Sequence, residues 1–253
     1  MVKFRVVIPA RYQSSRFLGK ALAEIAGKPM VQHVYERALK SGATSAIIAT
    51  DDERIINAAK SFGAPACMTS MLHQSGSDRL AEAIDVLGYS DDDIVVNLQG
   101  DEPMMPPEII AQVANDLSAH ESASVATVCE PLTTVAKLLD PNLAKVVRDS
   151  DGYALYFSRS PIPYDRSSFP LNDEGQSLAK DIYYRHIGIY AARARFWREY
   201  VKWEPCQLEI LESLEQLRIL WHSKKIFVGV SNHPSFMEVN TPEDLARVQA
   251  SLQ

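Results

Sequence analysis

The first half of this 253-residue chain predicts an α/β fold with a mostly parallel central sheet and helices on both faces. Short runs rich in Val and Ile, typical of buried strands, alternate there with longer segments whose apolar residues recur at helical spacing. The predicted strands are residues 4–8, 46–49, 94–97 and 124–128, and the predicted helices are residues 30–41, 52–62, 77–87 and 107–119. In such sheets ligands bind beyond the carboxyl ends of the strands, so we expect the functional residues in the loops that follow them.

The second half predicts a different arrangement. Residues 144–148, 153–158 and 182–190 have strand patterns, separated by a polar, proline-containing stretch from 160 to 180. This favours an antiparallel excursion from the main sheet, and residues 140–192 are the predicted dimerisation and sugar-pocket subregion of a single domain spanning 1–253. Helices are predicted at 193–202 and 208–220, and a last strand at 226–230. A final helix opens at Thr241 and Pro242, which have N-cap and N1 preferences.

Composition excludes several protein classes. A hydrophobic fraction of 46% with 23% charged residues indicates a folded chain rather than a disordered one. The net charge of −6 leaves no overall electrostatic footprint for nucleic acid or an anionic membrane. An anionic substrate would therefore need locally concentrated positive charge.

Cysteine usage and the N-terminal sequence predict a cytoplasmic protein. Cys67, Cys129 and Cys206 are odd in number and widely separated, so neither a disulfide framework nor a thiolate metal site is indicated. The first residues lead directly into a predicted strand, and they lack the apolar region and cleavage site of a secretory signal. No apolar run approaches the length of a membrane span, so we expect no membrane insertion.

The loop after the first strand concentrates positive charge. Arg11, Arg16 and Lys20 lie there among small and hydroxyl residues, beginning at Ala10. Guanidinium and ammonium groups beside loop amides suit a triphosphate, whereas the alternative is an ordinary solvated basic loop. The chain contains neither G-x-x-x-x-G-K nor G-x-G-x-x-G, which excludes a P-loop and a dinucleotide fingerprint.

Two further loops carry candidate binding residues. Asp101 follows the predicted strand 94–97 directly and is a candidate Mg²⁺ ligand, although a Gly-Asp turn can also simply end a strand. Ser75, Gly76 and Arg79 lie where a helix begins, a position that suits a phosphate or a base edge but also an ordinary N-cap.

Polar residues also interrupt apolar elements in the second half. His186 opens an apolar strand pattern, and Glu209, Glu212 and Gln216 recur at spacings of three and four, which would place them on one helix face. A structural histidine and a solvated helix stripe are the alternatives for these positions.

The order of the motifs is more specific than any of them alone. The chain strongly resembles the 3-deoxy-manno-octulosonate (Kdo) cytidylyltransferases, or CMP-Kdo synthetases, over essentially its whole length. The motifs that carry this resemblance are Ile8-Pro-Ala-Arg-Tyr12, Ser15-Arg16, Gly19-Lys20, Ala49-Thr-Asp51, His73-Gln-Ser-Gly-Ser-Asp-Arg79, Gln99-Gly-Asp-Glu-Pro103, Tyr156-Phe-Ser-Arg159, Arg185-His-Ile-Gly-Ile-Tyr190, Leu214-Glu-Gln-Leu-Arg218 and Thr241-Pro-Glu-Asp-Leu245.

The resemblance implies a Rossmann-like nucleotidyltransferase fold, a homodimer and Mg²⁺ as cofactor. The implied reaction is CTP + Kdo → CMP-Kdo + pyrophosphate, which serves lipopolysaccharide biosynthesis. Arg16, Lys20 and Asp101 are the implied catalytic residues. The implied nucleotide-binding residues are Ala10, Arg11, Arg16, Lys20, Ser75, Gly76 and Arg79, and the implied sugar-binding residues are Gln99, Arg159, Tyr184, His186, Glu209, Glu212 and Gln216.

Two departures from the family pattern bear on the site. The first loop lacks two prolines that the family usually has around Gly19-Lys20, which loosens it. The usual second magnesium aspartate is Asn240 here, which can coordinate through its carbonyl oxygen but removes a negative charge. Two alternative expectations follow from Asn240. Either the metal binds more weakly, or the site is adapted to the related sugar 8-amino-3,8-dideoxy-manno-octulosonate.

Other function classes remain open at this point. A CMP-sialic-acid-type synthetase shares the same chemistry. A nucleotide-sugar glycosyltransferase can share a similar core, but the expected D-x-D motif is absent around Asp101. A non-catalytic nucleotide-binding relative is another alternative, and Asn240 is the residue that suggests it.

Overall fold

A computed structural model describes residues 2–13, 17–171, 178–231, 233 and 236–251 of the chain, and it confirms the α/β alternation. The strands are β1 (Phe4–Pro9), β2 (Glu24–Ile25), β3 (Lys28–Pro29), β4 (Ser45–Thr50), β5 (Ala66–Met68), β6 (Ile94–Asn97), β7 (Val125–Pro131), β8 (Lys145–Arg148), β9 (Ala154–Ser158), β10 (Tyr184–Arg193) and β11 (Ile226–Val230). The α-helices are α1 (Met30–Lys40), α2 (Glu53–Ser61), α3 (Gly76–Val86), α4 (Pro107–Ala119), α5 (Val135–Leu139), α6 (Ala194–Tyr200), α7 (Gln207–Glu212), α8 (Gln216–Trp221) and α9 (Pro242–Ser251), and a 3₁₀ helix covers Lys20–Leu22.

The central sheet is mostly parallel, as predicted, with the order β11-β7-β10-β6-β1-β4-β5. Strand β1 pairs in parallel with β4 and β6, and β7 pairs in parallel with β11. Strand β10 runs antiparallel between β6 and β7. The first residues of β10 also pair with β8, and β8 pairs with β9, so the antiparallel extension of the sheet begins there.

This topology corrects one detail of the prediction. Strand β10 was expected to leave the main sheet, but most of its length lies inside it. Only β8 and β9 form the antiparallel extension. The apolar pattern of a buried strand is the same whether the strand runs parallel or antiparallel to its neighbours. Sequence periodicity therefore does not reveal that β10 runs antiparallel between two parallel strands.

The two faces of β1 explain why helices cover both sides of the sheet. Val6 and Ile8 pack with residues of α1, α2 and α4 on one face, whereas Val7 packs with residues of α3 and α6 on the other. Every residue from Val6 to Ile8 is fully buried. Burial of each such side chain stabilises the fold by roughly 1.5–3 kcal/mol, which fixes the sheet between its two helical layers.

The prediction from the sequence did not include several short elements and one helix break. The β2–β3 hairpin, β5 and α5 are two to five residues long, too short for a periodic pattern. The predicted helix 208–220 is two helices, α7 and α8, because Ser213 adopts a left-handed conformation with φ 52°. Apolar spacing continues across the break and conceals it. Among the described residues, no helix has both the length and the apolar character needed to cross a membrane.

Candidate active site

A cavity of about 280 Å³ opens at the carboxyl ends of β1 and β6. Both strands are parallel, so the loops that follow them meet at the same edge of the sheet. Helix α3 begins on the third side of the cavity. The predicted nucleotide-binding residues that line it are Ala10, Arg11, Lys20, Ser75, Gly76 and Arg79, together with Gln99 and Asp101.

Two glycines allow these loops to approach each other closely. The Gly100 amide donates to the Pro9 carbonyl at 3.2 Å, and a Cβ on Gly100 would lie 2.8 Å from the same oxygen. A Cβ on Gly76 would lie 3.2 Å from Oε1 of Gln99, which is a tight contact. Glycine at these positions therefore brings the loop after β1, the loop after β6 and the start of α3 into one wall.

Helix α3 begins with a hydrogen-bonded N-cap. The Asp78 amide donates to Oγ of Ser75, and Oδ2 of Asp78 accepts from the Ser75 amide at 3.0 Å, forming a capping box. The adjoining Arg79 is almost fully buried and donates to Asp51 at 2.6 Å and to Thr69 at 2.5 Å. Ser75 therefore is the N-cap, and the Arg79 guanidinium is held in place beneath the cavity by Asp51.

Lys20 and Asp101 face each other across the cavity. The Lys20 ammonium donates to Oδ2 of Asp101 at 2.7 Å, and both side chains are partly buried. Arg11 is exposed at the cavity rim. Arg16, the remaining predicted cation, lies outside the described residues. The cavity thus presents a cation and a carboxylate side by side, a pairing that a phosphate and a metal ion would both be able to use.

The residues around Asp101 fit a magnesium ion brought with phosphates. The Val239 amide donates to the Asp101 carbonyl at 3.0 Å, which brings the segment ending in Asn240 beside Asp101. Nearby Glu102 is buried, and its Oε2 has no hydrogen-bond partner in the described part of the chain. Burial raises the pKa of its carboxyl well above the usual range, with Glu238 and Asp101 adding to the shift. Within the described ranges, no three acidic, histidine or cysteine side chains form a metal cluster. One carboxylate completed by phosphate oxygens is an arrangement Mg²⁺ commonly takes.

A second cavity of about 310 Å³ adjoins the first. Gln99 and Glu215 line both cavities, so the two spaces share a wall. The predicted sugar-binding residues that line the second cavity are Gln99, Arg159, His186 and Gln216. Loop 142–144, β10 and the break between α7 and α8 supply most of the remaining lining.

The two arginines of the second cavity differ in how their charge is balanced. The Arg159 guanidinium donates to the backbone carbonyls of Glu212 at 2.6 Å and Pro141 at 2.9 Å, and it forms no ion pair with any described residue. Arg185 instead donates to Glu130 at 3.2 Å and to Glu238 at 2.5 Å. Arg159 therefore brings an unneutralised positive charge to the cavity, which suits a ligand carboxylate.

Gln216 and His186 add neutral polar groups. Nε2 of Gln216 is buried and has no hydrogen-bond partner among the described residues, although Gln216 lines the cavity. Burial, together with the nearby Arg185, lowers the pKa of His186 to about 3, so the imidazole is neutral at physiological pH. An orphaned amide and a neutral ring are suited to hydroxyl groups rather than to charges.

Three of the predicted sugar-binding residues lie elsewhere. Both carboxylate oxygens of Glu209 accept from Arg218, at 2.5 and 2.7 Å, in a buried ion pair. Glu212 accepts from the Ser158 hydroxyl and the Arg159 amide, and Tyr184 donates to the Asp181 carbonyl. None of the three lines the second cavity.

The left-handed Ser213 explains why the two glutamates do not line the second cavity. A continuous helix would have placed Glu209, Glu212 and Gln216 on one face, but the break sends only Gln216 into the cavity. Glu212 still holds the strand end that carries Arg159, so it acts on the cavity through its neighbour.

Several lining residues were not singled out from the sequence. Glu215 and Arg185 lie inside motifs that were quoted, so adjacency to Gln216 and His186 was the available signal. Asn97 ends β6 and accepts from Gln99 at 3.2 Å. Glu238 had no sequence signal, because only the tertiary contact with Arg185 brings it to the cavity.

Comparisons with known proteins agree with this geometry. The sequence profile of the cytidylyltransferase family matches residues 5–226. The chain is 51% identical to the 3-deoxy-manno-octulosonate cytidylyltransferase of Coxiella burnetii, covering 98% of this chain and 99% of that protein. It is 53% identical to the enzyme of the same name from Vibrio vulnificus, covering 98% and 97%.

Solved structures give the same result for the fold. The structure of CMP:2-keto-3-deoxy-manno-octonic acid synthetase complexed with CTP matches with a TM-score of 0.85 and 40% identity, covering 99% of this chain and 98% of the other. A nucleotidyl transferase from Methanothermobacter thermautotroptrophicus shares the fold, with a TM-score of 0.62 at 12% identity over 98% and 97% of the two chains.

Proposed function

Because this chain belongs to the cytidylyltransferase family, we propose that it transfers CMP from CTP to Kdo, giving CMP-Kdo and pyrophosphate for lipopolysaccharide biosynthesis. The observation that carries the proposal is the shared wall of the two cavities. Gln99 and Glu215 line both, so a nucleotide in the first cavity and a sugar acid in the second would meet there. Such a transfer depends chiefly on positioning and charge neutralisation.

The first cavity supplies the nucleotide contacts in this proposal. The exposed Arg11 and the ammonium of Lys20 neutralise phosphate charge, while the amides at the start of α3 offer further donors around Gly76. Arg16 follows in the same loop and is proposed for the same role from the sequence.

The second cavity holds the sugar acid. Its carboxylate is proposed to bind Arg159, whose charge no described carboxylate neutralises, and its hydroxyls are proposed to bind Gln99, His186 and Gln216. The anomeric hydroxyl then attacks the α-phosphorus in line, a bond forms from oxygen to phosphorus, and pyrophosphate leaves with the electron pair.

Glu215 is the proposed acceptor of the hydroxyl proton. It lines both cavities, its Oε2 accepts from the Ser77 hydroxyl at 2.8 Å, and exclusion of water raises the pKa of its carboxyl. A general base works best with a pKa raised toward the operating pH. We expect Glu215→Gln to lower kcat about a hundredfold and to remove the acidic limb of the pH–rate profile, whereas an unchanged limb would contradict this role.

Magnesium is proposed as the cofactor, held by Asp101 and, through its carbonyl oxygen, Asn240. When bound, the ion would withdraw charge from the phosphates. The Asp101 carboxylate and the adjoining segment 238–240 are the residues that would hold it, and Lys20 would exchange its contact with Asp101 for one with phosphate.

The experiment that tests the activity is pyrophosphate release from CTP across a panel of sugar acids. Kdo, its 8-amino-3,8-dideoxy analogue and sialic acid are compared with Mg²⁺ varied. We expect release with a Kdo-type acid and none with sialic acid. Release with sialic acid alone would contradict the proposal and indicate a CMP-sialic-acid synthetase. Nucleotide binding without pyrophosphate release would indicate a non-catalytic relative.

The 8-amino analogue is the second candidate substrate. Asn240 removes a negative charge beside Asp101, and the nearby Glu238 brings a carboxylate to the sugar cavity, where an ammonium group would find a partner. The ratio of kcat/KM for the two sugars decides between them. A ratio that equals or favours Kdo would reject the amino-sugar reading.

We also propose a cytoplasmic homodimer. Helix α7 exposes Ile210 and Leu211, and β9 exposes Leu155, although large apolar side chains are usually buried. These residues lie in and beside the antiparallel region predicted as the interface. Analytical ultracentrifugation of the whole chain should give twice the monomer mass, and a monomer at micromolar concentration would contradict the assignment.

A further inference from the structure

A bulge in β10 lies against the side chain of Thr127. The pairing register between β7 and β10 shifts between Ile187 and Tyr190, and Oγ1 of Thr127 contacts two backbone carbonyls of this segment. It lies 2.7 Å from the Ile189 carbonyl, 3.2 Å from the Ile187 carbonyl and 2.9 Å from Nε2 of His186. Thr127 is fully buried, so no water competes for these contacts.

We propose that Thr127 is a positioning residue that fixes His186 in one tautomer, with Nε2 protonated and Nδ1 presented to the sugar cavity as a hydrogen-bond acceptor. The proposal deepens the proposed function and rests on it for the identity of the ligand. It concerns which atom of a ring carries a proton, which decides what kind of group the ring can bind.

Oγ1 of Thr127 has one proton for three neighbouring polar atoms. A threonine hydroxyl has one hydrogen to donate, and the carbonyls of Ile187 and Ile189 can only accept. The shorter contact, 2.7 Å to Ile189, receives that hydrogen. Oγ1 then faces His186 with a lone pair, and the contact to Nε2 is a hydrogen bond only if Nε2 donates.

The imidazole of His186 is neutral, which limits it to one N–H. Burial holds the pKa of His186 at about 3, so at neutral pH the imidazole carries a single N–H. With that proton on Nε2, Nδ1 has only a lone pair. Nε2 contacts Thr127, and no described residue bonds Nδ1, so Nδ1 is the nitrogen left for the cavity that His186 lines.

The tautomer sets the chemistry of this part of the cavity. An acceptor nitrogen binds a hydroxyl that donates, and it repels the lone pairs of carboxylate or phosphate oxygens. The sugar acid is therefore oriented with a hydroxyl toward His186 and its carboxylate toward Arg159, which lines the same cavity. A misplaced sugar would set two hydrogen-bond acceptors against each other, with no proton to bond them.

The first experiment measures the tautomer without any substrate. Imidazole ¹⁵N shifts of the whole protein distinguish a protonated from an unprotonated ring nitrogen, and His186→Gln assigns the signal. We expect one neutral species with Nε2 protonated throughout pH 6–8. A ring protonated at Nδ1 overturns the proposal. This readout involves no catalysis, so it is independent of whether CMP-Kdo is the product.

The second experiment uses Thr127→Val and Thr127→Ser. Valine has the shape of threonine but no hydroxyl, so we expect a mixture of tautomers, a KM for Kdo about tenfold higher and a KM for CTP within twofold of the parent. Serine keeps Oγ and should restore both the spectrum and the KM for Kdo. An unchanged KM for Kdo in a folded Thr127→Val enzyme overturns the proposal, and if that variant does not fold, the spectrum of the parent protein decides.

Discussion

The two cavities are built in different ways, although they share a wall. Apart from Glu215, the first is lined by three short segments: the loops after β1 and β6 and the residues around the start of α3. The second takes its lining from loop 142–144, β10, the α7–α8 break and the segment around Glu238, which are far apart in the sequence. A cavity between the loops that follow neighbouring parallel strands can thus be predicted from local motifs, whereas a cavity lined by distant elements depends on the tertiary structure.

Their electrostatics differ as well. In the first cavity Lys20 and Asp101 form an ion pair at 2.7 Å. In the second cavity the Arg159 guanidinium bonds backbone carbonyls and has no ion-pair partner among the described residues. In the proposed function the first cavity therefore exchanges an internal ion pair for its ligands, whereas the second offers a charge that is not yet paired.

The largest expected effect comes from the first cavity. Asp101→Asn removes the carboxylate proposed to hold Mg²⁺, so we expect kcat/KM to fall at least a hundredfold, or about 3 kcal/mol. Pyrophosphate release at limiting Mg²⁺ measures it. Asp92→Asn is the matched control, because Asp92 is exposed and pairs with Arg195 away from the cavity. Near-full turnover of the Asp101 variant would remove the metal assignment.

A smaller and more selective effect is expected in the second cavity. Arg159→Gln removes the charge proposed to bind the sugar carboxylate, which should raise the KM for Kdo by about ten- to a hundredfold, since hydrogen bonds to charged groups contribute about 1.5–3 kcal/mol. The KM for CTP should stay within twofold. Arg195→Gln, at an exposed position, serves as control. An equal rise in both constants would mean that the cavities do not bind separate substrates.

The next effect concerns the support of the second cavity. Lys145 is fully buried and its ammonium donates to the carbonyls of Asp140 at 2.8 Å and Leu143 at 2.6 Å, which holds the loop that contacts Arg159. Lys145→Met leaves both carbonyls without this donor, so we expect the free energy of unfolding to fall by about 1–3 kcal/mol in urea titrations. Lys40→Met, at an exposed position, is the comparison, and equal midpoints would contradict the expectation.

The smallest effect is a pH dependence of stability. The pKa of His186 falls from its unfolded value of 6.5 to about 3 on folding, so the unfolded chain takes up a proton that the folded chain does not. Its contribution is complete above pH 6.5 and declines as pH falls below it, by up to about 1.4 kcal/mol per pH unit.

The comparison of the parent protein with His186→Gln isolates this group. Glu102 and Glu215 have raised pKa values, so their contributions change in the opposite direction, weakening as pH rises above about 4.5. These carboxyls are present in both proteins. Urea midpoints from pH 7 to pH 5 should therefore decline more steeply in the parent, and parallel curves would contradict a buried neutral His186.

Much of the first cavity was predictable from the sequence. Lys20, Ser75 and Asp101 each follow or precede a periodic element, and parallel strands bring their carboxyl ends to one edge of the sheet. Ser75 is the N-cap of α3, which was the alternative considered for it, and strand β11 has the predicted bounds. Local spacing was sufficient because each of these features needs only its own neighbours.

The second cavity was only partly predictable. His186, Arg159 and Gln216 do line it, but Glu209, Glu212 and Tyr184 do not. One residue, Ser213, decides the outcome for the glutamates, and a left-handed serine has no signature in an apolar repeat. A sequence motif can identify such residues, but the backbone conformation decides where their side chains lie.

The sequence by itself determined the alternation of strands and helices, the local concentration of positive charge in an acidic chain, and the family. These properties depend on residue type and spacing, which are local. The tertiary structure decided that β10 runs antiparallel inside the sheet, that Glu238 reaches Arg185, and that Thr127 contacts His186. Those contacts join residues dozens of positions apart, and only the packing of the sheet brings such residues within hydrogen-bonding distance.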